Sequence, residues 1–150
     1  MALIRVTKEF RFEMAHALWN YDGPCRNVHG HSYILYVTIA GEPVNDPADP
    51  KNGMVIDFGD LKKIVRRSVV DRLDHALMVS GQAPAETVES YRQHFGNVIV
   101  SSYQPTCENL VADIICKSNQ NPISLSCNTS WVRLFIQNAD CSGEVRQGRA

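Results

Sequence analysis

The chain lacks most of what would mark a polymer binder, a membrane protein or a disulfide scaffold. Charge of one sign is nearly balanced: 15 Lys+Arg stand against 16 Asp+Glu for a net charge of −1, and apart from Arg66-Arg67 the basic residues are scattered. That leaves no electrostatic footprint for nucleic acid. Long apolar runs are missing too, since nothing approaches the roughly 20 residues that span a bilayer. The opening Met-Ala-Leu-Ile-Arg-Val has no basic stretch leading into a long apolar segment. The expectation is a soluble, cytoplasmic protein with neither nucleic acid nor membrane as partner. The five cysteines, Cys25, Cys107, Cys116, Cys127 and Cys141, are odd in number and form no Cys-x-x-Cys pair, which fits reduced thiols better than a disulfide framework. Repeats, low-complexity segments and composition breaks are also missing. With 44% apolar residues in 150, one domain over residues 1–150 can bury one sizeable core.

What the chain does have is histidine in a cluster. His16, His29 and His31 occur in Met14-Ala-His16 and Cys25-Arg-Asn-Val-His29-Gly-His31-Ser-Tyr33. A strand sends every second side chain to one face, so His29 and His31 project together, and His16 at the end of a preceding strand can complete a facial trio. Three imidazoles favour Zn²⁺ and leave a coordination position for substrate or water, whereas a structural zinc usually closes with four protein ligands. Cys25, four residues before His29, stands at that fork. As a fourth ligand it closes the site; held off the metal, the thiol is acidified beside a cation and serves as a proton acceptor.

Residues 3–14 alternate as a half-buried strand with Phe10, Phe12 and Met14 on one face, and Ser32–Ala40 is β-branched and aromatic as a second. A Pro-rich connection follows. Asp57 or Asp60 can then cap a helix whose Leu61, Ile64, Val65, Ser68, Val69 and Leu73 keep an i, i+3, i+4 stripe, ending at Asp74-His75-Ala-Leu77. Residues 80–97 read as a polar loop with a helical turn at Glu86 to Tyr91, Val98–Tyr103 as strand three, Leu110, Val111, Ile114 and Ile115 as the stripe of helix two, and Trp131–Ile136 as strand four. The order ββαβαβ predicts an α+β fold: a four-stranded antiparallel sheet with two helices on one face. The open edges of such a sheet invite closure by neighbouring subunits.

Asp74-His75 pairs a carboxylate with an imidazole, which can orient a ring for proton transfer; a helix-terminal histidine stabilised by the dipole is the plainer reading. Thr106 reads equally as an N-cap and Glu108 as a first-turn carboxylate. Cys116 reads as a small core residue among the stripe of helix two, and His94 as a surface histidine.

Taken in order, Phe10-Arg-Phe-Glu-Met-Ala-His16-Ala, Cys25-Arg-Asn-Val-His29-Gly-His31-Ser-Tyr, Gly53-Met-Val-Ile-Asp57-Phe58-Gly-Asp-Leu-Lys, Leu73-Asp74-His75-Ala-Leu77 and Pro105-Thr106-Cys-Glu108-Asn109-Leu resemble the 6-pyruvoyl-tetrahydropterin synthase family, closest to its bacterial 6-carboxy-tetrahydropterin synthases of the queuosine pathway. The resemblance implies a tunnelling fold, with sheets joined into a trimeric barrel, two trimers stacked into a homohexamer, and active sites between subunits. It implies Zn²⁺ on His16, His29 and His31, a catalytic thiol at Cys25, a relay of Asp74 and His75, and pterin-ring contacts from Thr106 and Glu108. The implied substrate is 7,8-dihydroneopterin triphosphate, whose side-chain hydroxyls the zinc would bind while Cys25 and His75 move protons. The implied products are 6-carboxy-5,6,7,8-tetrahydropterin, acetaldehyde and triphosphate. Two alternatives stay open beside it: the 6-pyruvoyl product, and a non-catalytic pterin-binding protein. The family's ring-anchoring glutamate, which ends its strand four, aligns with Gln137. An amide accepts only one of the two ring hydrogen bonds cleanly, a loss of roughly 1.5 to 3 kcal/mol. A register shift would offer Asp140 or Glu144 instead.

Overall fold

The computed structural model describes residues 2–120, 129–138 and 142–148. Alternation in Ile4–Ala17 (β1) buries Phe10, Phe12, Met14 and His16 and exposes Arg11 and Glu13. His29–Gly41 (β2) alternates in phase with it. The two pair antiparallel along their whole length, from Ile4 opposite Gly41 to His16 opposite His29. A 3₁₀ turn at Pro24–Arg26 sits in the connection between them.

Asp57 is the helix cap: its carboxylate accepts from the amides of Gly59 at 2.6 Å and Asp60 at 3.4 Å, opening Phe58–Val65 (α1). The expected stripe then changes phase. A π turn at Arg66–Val70 precedes the short helix Asp71–Leu73 (α2), and the extra residue in its hydrogen-bonded ring turns Ser68 out to solvent and Val70 in. Ala76–Ser80 (β3), Ala85–His94 (α3), Val98–Ser101 (β4), Cys107–Gln120 (α4), Thr129–Gln137 (β5) and Ser142–Gly148 (β6) follow.

The sheet has six strands in the order β4-β3-β1-β2-β5-β6, not four, and it is mixed. β1, β2, β5 and β6 are antiparallel neighbours, whereas β3 runs parallel to β1 and β4 parallel to β3. The helix does not run through Asp74 to Leu77: Ala76–Ser80 is a strand buried at every residue. A strand covered on both faces loses its alternation, so this run merged with the apolar stripe before it.

The helices also divide between faces. Phe10, Phe12, Met14, Tyr33, Leu35, Ala76 and Met78 pack with Leu61, Val65, Leu73, Leu110, Val111 and Ile114. The intervening Ala17, Leu77 and Val79 pack with Val88 of α3. α3 therefore covers the second face of the sheet, where a polar loop with only a helical turn at Glu86 to Tyr91 was expected; its single buried residue, Val88, is too little to leave a stripe in the sequence. Cys116 is exposed rather than in the core, about 200° round the helix from Ile114; among the described residues Cys107 is the buried thiol. Among the described residues no helix is long and apolar enough to cross a membrane.

Candidate metal centre

The β1/β2 ladder brings the three histidines together. His16 lies directly opposite His29, and His31, two residues along β2, returns to the same face. One ring nitrogen from each lies within 4.8 Å of the others. The ring centroids are 4.5 Å (His16–His29), 4.7 Å (His29–His31) and 5.1 Å (His16–His31) apart. His16 is buried and the other two half-buried, so the group opens on one side.

The neighbours of the rings decide their tautomers. His16 Nδ1 lies 2.6 Å from the carbonyl of Pro105, and His29 Nδ1 2.8 Å from that of Asn27. A carbonyl only accepts, so both rings carry their proton on Nδ1 and present a lone pair at Nε2. Those two Nε2 atoms face each other at 3.1 Å. Two lone pairs at that separation repel unless a proton or a cation lies between them, and carbonyl-oriented imidazoles are the usual surroundings of a metal-ligating histidine. The donor set fits a divalent transition ion.

Cys25 is not part of this group of ligating atoms. It is half-buried in the 3₁₀ turn, and its carbonyl accepts from the Leu18 amide at 2.9 Å, two residues beyond His16. Asp74 and His75 follow α2 at the other side of β1. Asp74 Oδ1 accepts from the Glu13 amide at 2.9 Å and lies 3.2 Å from His75 Nδ1, while the His75 amide donates to the Glu13 carbonyl at 2.7 Å. The Glu13 amide, and after it His75, holds the Asp74 carboxyl below its ordinary range. His75 has a φ of +59°, a left-handed conformation that costs a side-chain-bearing residue about 1–2 kcal/mol. Such strain persists where the surroundings enforce it. His75 and His31 line one open cleft with Glu13 and Ser32, a cleft Cys25 does not line.

Pro105, whose carbonyl orients His16, begins the segment that opens α4. The Thr106 hydroxyl accepts from the Asn109 amide at 3.3 Å as an N-cap, and Glu108 is exposed. Gln137 is paired with Ile34, so it lies on the face of the sheet away from His31 and Tyr33. Glu144 pairs with Arg133 and Arg146, which hold its carboxyl low and occupy it. Asp140 falls outside the described residues. Reading the sequence missed Glu13. Glu13 acts through its backbone, which leaves no signature in residue type.

A six-stranded sheet in an α+β fold, with an open trio of oriented imidazoles at one end, defines a protein able to hold a metal ion. The model of the family 6-pyruvoyl tetrahydropterin synthase matches residues 5–146, and the chain belongs to that family. It is similar to the 6-carboxy-5,6,7,8-tetrahydropterin synthase of Haemophilus influenzae (47% identical over 76 residues, 51% of this chain and 52% of that protein). It is also similar to the protein of the same name from Rickettsia bellii (30% identical over 109 residues, 72% of this chain and 75% of that one). The match thus spans about half the length of the first relative and three quarters of the second. The fold is that of the 6-pyruvoyl tetrahydropterin synthase of Plasmodium falciparum (TM-score 0.72, 19% identity, 99% of this chain and 100% of that chain). The Caenorhabditis elegans enzyme shares it (TM-score 0.64, 22% identity, 100% and 98%).

Proposed function

We propose that this protein is a zinc-dependent lyase that converts 7,8-dihydroneopterin triphosphate to 6-carboxy-5,6,7,8-tetrahydropterin, releasing acetaldehyde and triphosphate, a reaction of queuosine and 7-deazapurine biosynthesis. The observation that carries it is the pair of Nε2 lone pairs 3.1 Å apart on rings whose Nδ1 protons are committed to carbonyls. The names of the relatives supply the substrate class.

In this reading His16, His29 and His31 hold Zn²⁺, and Cys25, outside the ligand group, is the thiol that exchanges protons with the substrate. Zinc, when bound, supplies a Lewis acid that lowers the proton affinity of the substrate's hydroxyls. His75, oriented by Asp74, carries the second proton, and Asp74 keeps its ring in the correct tautomer. Thr106 and Glu108 receive the pterin ring, with Gln137 in place of the family's anchoring glutamate. Two features support a site assembled between subunits: His75 lines a cleft that Cys25 does not, and Gln137 lies on the opposite face of the sheet. With β4 and β6 at its edges, the sheet can continue into neighbours, which supports a homohexamer of two trimeric barrels.

The test is to incubate zinc-loaded protein with 7,8-dihydroneopterin triphosphate and assay both triphosphate and acetaldehyde. Release of both is expected. Triphosphate without acetaldehyde assigns the 6-pyruvoyl product instead, and stoichiometric pterin binding without turnover assigns a non-catalytic binder.

A further inference from the structure

We propose that Gln104 is a positioning residue: its side-chain amide clamps the thiol-bearing loop to the segment that orients the metal site. The Trp19 amide donates to Gln104 Oε1 at 3.0 Å, and Gln104 Nε2 donates back to the Trp19 carbonyl. One planar amide thus satisfies both backbone groups of one residue. On the other side, the Gln104 carbonyl accepts from the Thr106 amide at 2.8 Å and from Asn109 Nδ2 at 3.0 Å. The next carbonyl, that of Pro105, orients His16.

The loop needs such a tether. From Leu18 to Val28 no side chain is buried, so packing does not hold it. Asn20, next to the clamped residue, has a φ of +57°, a left-handed turn that asparagine tolerates but that surrounding contacts must maintain. Within the loop the Leu18 amide donates to the Cys25 carbonyl at 2.9 Å, so the position of Cys25 is set through Leu18 and Trp19. Among the described residues, Gln104 is the one side chain hydrogen-bonding to this loop from beyond the strands that flank it. The path Cys25–Leu18–Trp19–Gln104–Pro105–His16 makes thiol and metal ligand parts of one rigid unit.

The inference rests on the proposed reading for its effect on turnover, but not for its effect on the loop. In Gln104→Met, a side chain of similar length that cannot hydrogen-bond, kcat should fall about 10- to 100-fold, because small misplacements of a reacting group cost that much. KM and zinc stoichiometry should stay near wild type. Hydrogen exchange at the Trp19 amide should accelerate at least about tenfold, and alkylation of Cys25 by iodoacetamide should quicken, while exchange in β1 is unchanged. Gln104→Glu keeps the acceptor for the Trp19 amide and loses the donor, so it should fall between the two; it also serves if the methionine variant fails to fold. Unchanged Trp19 exchange and Cys25 alkylation in the folded variant overturn the clamp. So does wild-type kcat alongside a wild type that turns over. If the zinc-loaded wild type itself consumes no substrate, the function reading has failed, and exchange and alkylation alone decide whether Gln104 positions the thiol.

Discussion

The facing lone pairs of His16 and His29 predict that metal binding is a measurable part of this protein's stability. Without an ion, two Nε2 atoms oppose each other at 3.1 Å while both Nδ1 protons are locked to carbonyls. An ion that binds only the folded state stabilises it by about 2.7 kcal/mol at a hundred times its dissociation constant. For a chain of 150 residues, each kcal/mol moves the melting temperature by about 2–4 °C, so saturating zinc should raise that of chelator-stripped protein by about 5–11 °C. His29→Ala removes one of the facing nitrogens and with it the repulsion in the empty site. It also removes the hydrogen bond from His29 Nδ1 to the Asn27 carbonyl, which offsets that relief, so the variant should melt near the stripped wild type yet show almost no response to zinc. Differential scanning calorimetry on both proteins, with and without zinc, and metal analysis of the recovered samples make the comparison. A wild type whose melting point zinc does not move, or a His29→Ala protein that keeps the full shift, refutes the reasoning.

Other expectations follow from the same geometry. Because Cys25 lies outside the ligand group, Cys25→Ala should retain stoichiometric zinc and its oligomer while losing turnover; loss of metal by elemental analysis would instead make the thiol a fourth ligand. Asp74 is held below its ordinary range by the Glu13 amide, so the stability it contributes is complete above the ordinary carboxyl pKa of about 3.9 and is lost as pH falls through the lower folded value. Urea midpoints of wild type should therefore drop more steeply with acid below that pH than those of Asp74→Asn, and parallel curves would count against the contact. The π turn exposes Ser68 and buries Val70. Ser68→Ala should change stability by less than about 0.5 kcal/mol, whereas Val70→Ala, which removes two buried methyl equivalents, should cost about 2 kcal/mol. Equal effects in chemical denaturation would restore the unbroken helical phase.

The legible parts of the sequence were those whose physics is local. Strand alternation alone places His29 and His31 on one side of β2, and spacing narrows the helix cap to Asp57 or Asp60, between which the structure selects Asp57. The apolar stripe of α4 followed from spacing for the same reason, at Leu110, Val111, Ile114 and Ile115. Ala76–Ser80 escaped because burial on both faces erases periodicity, and α3 showed only as a turn at Glu86 to Tyr91 because one buried valine is no stripe. The π turn escaped because it changes phase without a marker residue.

Residue type and short-range spacing were enough to single out the histidine trio as a candidate, since a period of two puts His29 and His31 on one face. The pairing of β1 with β2, the carbonyls of Pro105 and Asn27 that fix the tautomers, and the Glu13 backbone that holds Asp74 and His75 were decided only in three dimensions. Those interactions use main-chain groups, brought together across up to 89 positions of sequence, and a backbone carbonyl or amide shared by nearly all residue types leaves no trace in any one of them.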